Sequence, residues 1–227
     1  REAPRERFAR VALAFADGDE LRFSDIRRFG RIALLRGAEL TARFRELGPE
    51  PLGADWARED FVAALARRRT RLKPLLLDQS FLAGLGNIYV DEALFRARLH
   101  PLTIAAEVPA ERAAALHAAI REVLGDAIGS GGTTFSNYRD AYGQEGDYYE
   151  RRRVYARTDE PCPDCGTQIA RIVVGGRGAH FCPACHPPPG PTVAPPVPLV
   201  PRAPRRLVAE TSAAYTAKPG GGEPDGR

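Results

Sequence analysis

Two Cys-x-x-Cys pairs, Cys162-Pro163-Asp164-Cys165 and Cys182-Pro183-Ala184-Cys185, constrain this chain more than anything else in it. Four thiolates delivered by two tight turns close a tetrahedral shell around one Zn²⁺, leaving no position open, so the metal is structural. His186 follows the last cysteine and is redundant as a fifth ligand. The metal folds the intervening residues back on themselves. Ile169–Val174 and His180–Phe181 then read as a hairpin joined by Gly175-Gly176-Arg177-Gly178, with Arg177 projected from a rigid tip. No apolar run reaches the length of a membrane span, and no secretory signal opens the chain. In that setting paired cysteines favour metal over disulfides.

A second informative stretch is Leu76–Leu94, LLDQSFLAGLGNIYVDEAL. It has two apolar helical segments, Leu72–Leu77 and Ile88–Leu94, split by an irregular turn. Gly84 and Gly86 flank Leu85, so the backbone is expected to take positive φ twice and to approach another molecule closely. Asn87 is placed as the N-cap of the helix that carries Tyr89, Asp91 and Glu92. Such a helix start offers free N–H groups and a positive dipole end, suited to an anion such as a DNA phosphate. The competing reading is a helical hairpin whose glycines only permit packing. Arg67, Arg68, Arg69, Arg71 and Lys73 lead into this turn, and beside it they read as backbone neutralisation rather than as a merely solvated face. The formal net charge is only +4, with a pI near 9.0, which fits a polyanionic partner without requiring one.

The remaining chain is read in order. Val11–Phe15 and Glu20–Phe23 form a β-hairpin around Asp17-Gly18-Asp19, and Ile32–Leu35 gives a third strand. The loop holding Arg27-Arg28-Phe29-Gly30 sets a cation beside an aromatic, which suits a wedge into a base stack. A core Phe with solvent-facing arginines is the alternative. Gly48–Gly53 is a breaker cluster and the natural domain boundary. Asp60–Arg69 reads as a helix with Phe61, Ala64 and Leu65 inward. A longer helix, Ala110–Ile128, buries Leu116, Ile120, Val123, Leu124 and Ile128, with His117 on its surface. Gly131–Gly146 is a glycine- and hydroxyl-rich loop able to close over a small polar ligand. From Pro187 onward, eleven of the chain's twenty prolines crowd into the last forty-one residues, which marks a disordered tail.

These blocks together resemble the formamidopyrimidine-DNA glycosylase and endonuclease VIII family. The resemblance runs from about Phe8 to His186 through RRFG, LDQSFLAGLGNIYVDEALF, GGTTFSNYRDAYGQEG and the zinc finger. It implies an α+β fold: the remnant of an N-terminal β-sandwich (1–48), a helix–two-turns–helix domain with its lesion loop (49–146), a zinc-finger β-hairpin (147–186) and the disordered tail (187–227). It implies base-excision repair of oxidised purines such as 8-oxoguanine and formamidopyrimidines, with strand cleavage by β,δ-elimination and one structural zinc held by Cys162, Cys165, Cys182 and Cys185. The partner would be damaged double-stranded DNA, met by a monomer in the bacterial cytoplasm near the nucleoid. By family position Arg27 contacts the unpaired base and Phe29 fills the gap. Arg68, Lys73 and Asn87 are DNA-binding residues, and Gly132, Thr133, Thr134 and Phe135 belong to the loop that covers the flipped base. Arg177 grips phosphate and serves the final elimination.

Four departures qualify the resemblance. The family's nucleophile is the amine of an N-terminal proline beside a glutamate, with a lysine on an early hairpin, and none of these is found in this sequence, which starts Arg1-Glu2. Phe8 stands where the family usually has a DNA-contacting histidine. The expectation is a fragment that binds abasic DNA without excising 8-oxoguanine. A non-catalytic DNA-binding module, an endonuclease VIII-like enzyme for oxidised pyrimidines, and a zinc ribbon for RNA or protein are the alternatives.

Overall fold

The structure, a computed structural model, describes residues 7–26, 28–133 and 146–189, all within the first of the two units into which the chain divides, Arg1–Pro189. Arg27, Thr134, Phe135, Arg1-Glu2 and nearly all of the proline-rich tail lie outside the described residues.

Strands β1 (Ala9–Ala14) and β2 (Glu20–Ser24) pair antiparallel, from Ala9 opposite Ser24 to Ala14 opposite Glu20, with an irregularity between Ala9 and Val11. Their turn uses Gly18 at φ +100°, a conformation that L side chains rarely adopt. The third strand expected over Ile32–Leu35 does not form, because no neighbouring strand offers a ladder among the described residues. Instead the chain runs into α1 (Gly37–Arg45), which the sequence reading did not anticipate and which buries none of its residues.

From Gly48 the character changes. Helices α2 (Arg58–Ala66), α3 (Leu72–Leu76), α4 (Asn87–Arg96) and α5 (Ala110–Gly129) enclose one apolar core. Leu72, Leu76, Leu82, Val90, Leu116, Ile120 and Val123 all lie fully inside it. Helix α5 starts after Pro109, whose missing N–H costs nothing there, and α4 crosses both α5 and the zinc hairpin. The expected stripe on α5 holds for Leu116, Ile120, Val123 and Leu124, whereas Ile128 is exposed. His117 is not a surface residue. It is buried on Trp56, ring centroids 4.0 Å apart, with Nε2 3.1 Å from the Trp56 carbonyl.

The breaker segment packs closely instead of hanging as a linker. Gly48 N–H donates to Gln79 O at 2.8 Å, and a Cβ on Gly48 would meet the Phe81 carbonyl carbon at 2.5 Å. Ala83 N–H returns a bond to Pro49 O at 3.0 Å, and Arg121 reaches the Pro51 carbonyl at 2.8 Å.

A short helix, α6 (Tyr148–Arg151), leads to the second sheet, β3 (Ala170–Val174) and β4 (Arg177–Phe181), paired from Ala170 opposite Phe181 to Val174 opposite Arg177. Its own small core joins Phe95 of α4 to Val154, Ile169, Cys162 and Cys182, with Cys185 packed against it. Among the described residues no helix is long and apolar enough to cross a membrane.

Candidate nucleic-acid interface

The turn between α3 and α4 is built by side chains that bond its backbone. Gln79 Oε1 accepts from Gly84 N at 2.9 Å, while its Nε2 donates to the carbonyls of Leu77 (3.3 Å) and Leu85 (3.2 Å). Asp78 Oδ1 accepts from Ser80 N and Ser80 Oγ. Leu82 and Leu85 point into the core and anchor the loop between them. Only Gly84 takes positive φ, at +73°; Gly86 is extended, at φ −99° and ψ 172°. Gly86 is also the N-cap of α4 in place of Asn87, because its carbonyl accepts the first helical bond from Val90 N. Asn87 is therefore the first helical residue, and the opening N–H groups of α4 have no carbonyl of their own helix to bond. Asn87 Oδ1 is buried and meets no hydrogen-bond donor among the described residues.

Arg68 is exposed just beyond α2, its guanidinium 5.9 Å from the centre of the Phe81 ring, so this arginine lies beside the same turn. Lys73 is different. It is wholly buried, donating to Asp91 Oδ1 and to Gly178 O at 2.6 Å. Burial, and secondarily the Arg177 charge, pull its pKa below the usual lysine range, while Asp91 opposes that fall. Phe29 is 83% exposed. Its loop is shaped by Asp25, whose two oxygens accept from Arg28 N (3.0 Å) and Gly30 N (2.6 Å). A Cβ on Gly30 would fall 2.3 Å from Phe23 Cζ and 2.9 Å from Asp25 Oδ2, so any side chain there would displace both.

The residues flanking 134–145 are bonded to one another. Asp147 N donates to Ser130 O at 2.9 Å, Tyr148 N donates to Gly132 O at 3.2 Å, and Thr133 bridges Asp147. Gly146 presses so close that a Cβ would lie 2.2 Å from the Gly132 oxygen. Tyr89 Oη meets Thr133 Oγ1 at 3.0 Å. Beside these residues lies a cavity of about 570 Å³ lined by Glu50, Leu52, Tyr89, Ile128, Gly132 and Thr133, which accounts for the exposure of Ile128. A larger cleft of about 690 Å³ on the zinc side is crossed by ion pairs from Arg153 and Arg98 to Asp164.

The four cysteine sulfurs lie within 4.8 Å of one another, with Cys165 Sγ 3.4 Å from Cys182 Sγ and 3.5 Å from Cys185 Sγ. Zn–S bonds of about 2.3 Å in a tetrahedron put the sulfurs roughly 3.8 Å apart, so this donor set fits one structural zinc ion. Desolvation first, and then the neighbouring thiols, push Cys185 up to about 12, a pressure that a cation relieves. His186 takes no part: its Nε2 lies 3.1 Å from Phe95 O and its Nδ1 3.2 Å from Cys182 N.

Sequence reasoning missed the two acids that join the halves. Glu92 is buried and accepts from the backbone N–H groups of Arg153, Val154 and Tyr155, each at 2.9 Å. Asp91 Oδ2 accepts from His180 N at 2.9 Å, and His180 Nδ1 lies 3.0 Å from the same oxygen. The sequence reading placed both acids on this helix but gave them no partner, because the segments that meet them are distant in the chain.

The formamidopyrimidine-DNA glycosylase H2TH domain model matches residues 47–139, and the model of a zinc finger found in FPG and IleRS matches residues 159–187. A formamidopyrimidine-DNA glycosylase of Herpetosiphon aurantiacus is 49% identical over 184 residues, 81% of this chain and 67% of the relative. The chain belongs to the formamidopyrimidine-DNA glycosylase family. A relative of the same name from Symbiobacterium thermophilum is 47% identical, across 83% of this chain and 62% of its own length. The chain thus spans roughly two thirds of such family members. Among solved family structures, a Lactococcus lactis protein complexed with Fapy-dG-containing DNA superposes with a TM-score of 0.76 at 38% identity, covering 82% of this chain and 69% of that one. The Thermus thermophilus protein gives 0.74 at 44% identity, covering 81% and 70%.

Proposed function

We propose that the protein serves base-excision repair as a DNA glycosylase and abasic-site lyase, acting on oxidised purines such as formamidopyrimidines and 8-oxoguanine in duplex DNA. The observation that carries this reading is the docking of the zinc hairpin on α4. Asp91 and Glu92, one turn beyond Asn87, accept bonds from residues 153–155 and 180, so an anion-binding helix start and the exposed Arg177 belong to one rigid body. Two phosphate groups held at fixed separation fit a kinked backbone around an extruded nucleotide. Relatives bound to DNA containing Fapy-dG or an abasic site support the same substrate class.

In this assignment Arg68 and Asn87 hold phosphates, and Arg177 holds the phosphate at the lesion and stabilises the charge that develops in the last elimination. Phe29, with Arg27, fills the gap left by the extruded base. Gly132, Thr133, Thr134 and Phe135 cover that base, and the described pair Gly132 and Thr133 lines the cavity beside Tyr89. Residues 1–48, 49–146, 147–186 and 187–227 are assigned as β-domain portion, helical domain, zinc finger and tail, in a cytoplasmic monomer.

The test joins a family N-terminal segment beginning Pro-Glu ahead of Arg1. A labelled duplex with one 8-oxoguanine is then incubated with borohydride. Excision, strand cleavage and a trapped Schiff-base adduct are expected. A folded, zinc-loaded protein that binds abasic duplex without excising any oxidised purine would leave only the DNA-binding module. Excision confined to oxidised pyrimidines would move the chain to the endonuclease VIII branch.

A further inference from the structure

We propose that the buried Lys73–Asp91 pair is the positioning element of Arg177, clamping the hairpin tip to the two helices of the turn. The inference rests on the reading of Arg177 as a phosphate-holding residue. An ion pair withdrawn from water carries a large desolvation cost, so its presence here calls for a compensating set of bonds. Both partners direct those bonds to β4. Lys73 Nζ donates to the carbonyl of Gly178, immediately after Arg177, and Asp91 Oδ2 accepts from His180 N. The strand that carries Arg177 is thereby held from α3 by a cation and from α4 by an anion.

A separate contact fixes the other side of the tip. Gly175, at φ +58°, lies so close to Pro74 that a Cβ would stand 3.2 Å from Pro74 Cγ. Residues 73 and 74 of α3 thus touch the turn both before and after Arg177. Charge adds a reason for the acid. The ammonium of Lys73 and the guanidinium of Arg177 repel each other, as the depressed pKa of Lys73 registers after its burial. Asp91 offsets that repulsion and keeps both cations in place. Because Asp91 is one helical turn from Asn87, the same carboxylate sets the spacing between the two phosphate-holding groups.

Removing a negative charge from a DNA-binding protein ordinarily tightens binding, which makes Asp91→Asn a sign test. Affinity of the 227-residue chain for a duplex containing a tetrahydrofuran abasic site is measured against salt. Zinc content and thermal midpoint are followed in parallel. The clamp predicts that Asp91→Asn weakens binding about tenfold and flattens the salt slope by about one ion, as Arg177→Ala does. The double variant Asp91→Asn/Arg177→Ala should bind no more weakly than Arg177→Ala alone, since one residue acts through the other. Should Asp91→Asn lose zinc or fail to fold, Lys73→Met/Asp91→Leu replaces the pair by apolar groups of similar size, a change that buried pairs often tolerate. That folded variant should show the same loss. Unchanged or tighter binding by the folded variants, or losses that add to that of Arg177→Ala, overturn the proposal. If Arg177→Ala itself leaves affinity and slope untouched, the phosphate reading of Arg177 falls and the clamp with it.

Discussion

Residues 7–47 and residues 48–189 are similarly endowed with apolar side chains and dispose of them in opposite ways. In the first region Leu21, Phe29, Leu34 and Phe44 are all more than half exposed, and α1 has no buried residue. In the second, seven large aliphatic side chains of the helices and their turn have no accessible surface at all. Yet the first region still forms a hairpin, paired continuously from Val11 opposite Phe23 to Ala14 opposite Glu20. Backbone pairing there is set by the Asp17-Gly18 turn and by alternation along the strands, neither of which requires a core. The second region shows what a core adds: buried acids that take up backbone N–H groups of a distant segment, and turns fixed by amide side chains. Two-stranded hairpins without a packed face are marginal in water, so the regions should differ sharply in local stability.

Zinc removal should abolish much of that difference. Chelation, or Cys182→Ser, should drop amide-exchange protection across Ala170–Phe181 to the low level expected for Ala9–Ser24, because structural zinc contributes on the order of 10 kcal/mol to such folds. Protection that persisted in the metal-free hairpin would show that Asp91 and Glu92 hold it unaided. Next in size is Leu116→Ala in the helical core. It should cost about 3 kcal/mol by denaturant unfolding, as expected for a wholly buried leucine. A loss below about 1 kcal/mol would mean that the core collapses around the gap.

The third test uses pH. Burial first, and then His186, depress His100 from 6.5 to about 4, and its Nδ1 accepts from Leu102 N at 3.1 Å. The unfolded chain therefore binds a proton before the folded one does, so stability present above pH 6.5 is lost as pH falls toward 4, by no more than about 3 kcal/mol. His100→Asn, which retains an acceptor for Leu102, should flatten that profile; an unaltered slope would assign the acid sensitivity elsewhere. The smallest effect belongs to the first region. Leu34→Ala, at a side chain 98% exposed, should shift stability by less than about 0.5 kcal/mol. A core-sized loss there would erase the contrast.

What could be read from the residues alone follows the same divide. The metal site was legible because ligation depends on spacing and residue type, which a sequence states directly. The helices from Arg58 to Gly129 were legible within a few residues because their periodicity reflects a core that exists. Ile32–Leu35 looked like a strand for its β-branched and apolar run, but a strand also needs a ladder partner, which no local pattern supplies. His117 and the Asp91-Glu92 pair failed for a related reason. Polar types read as solvated until the chain that comes to meet them is known, and here that chain lies 61 to 89 residues away. Asn87 was misplaced by one position, since a residue with cap chemistry sat beside a glycine whose carbonyl does the capping.

The pinch at Gly146 has a consequence for how this scaffold can change. Both ends of residues 134–145 leave from one fixed doorway: Thr133 opposite Asp147, and Gly146 flush against Gly132. A segment tethered at a common doorway can be lengthened, shortened or rewritten at little thermodynamic penalty, roughly 0.6 kcal/mol for each doubling of length. The framework beneath would not register the edit. Exchange of this insert alone would leave its mount unchanged, a removable cartridge whose seat requires the close-fitting Gly146 together with the positive-φ Gly131 and Gly132.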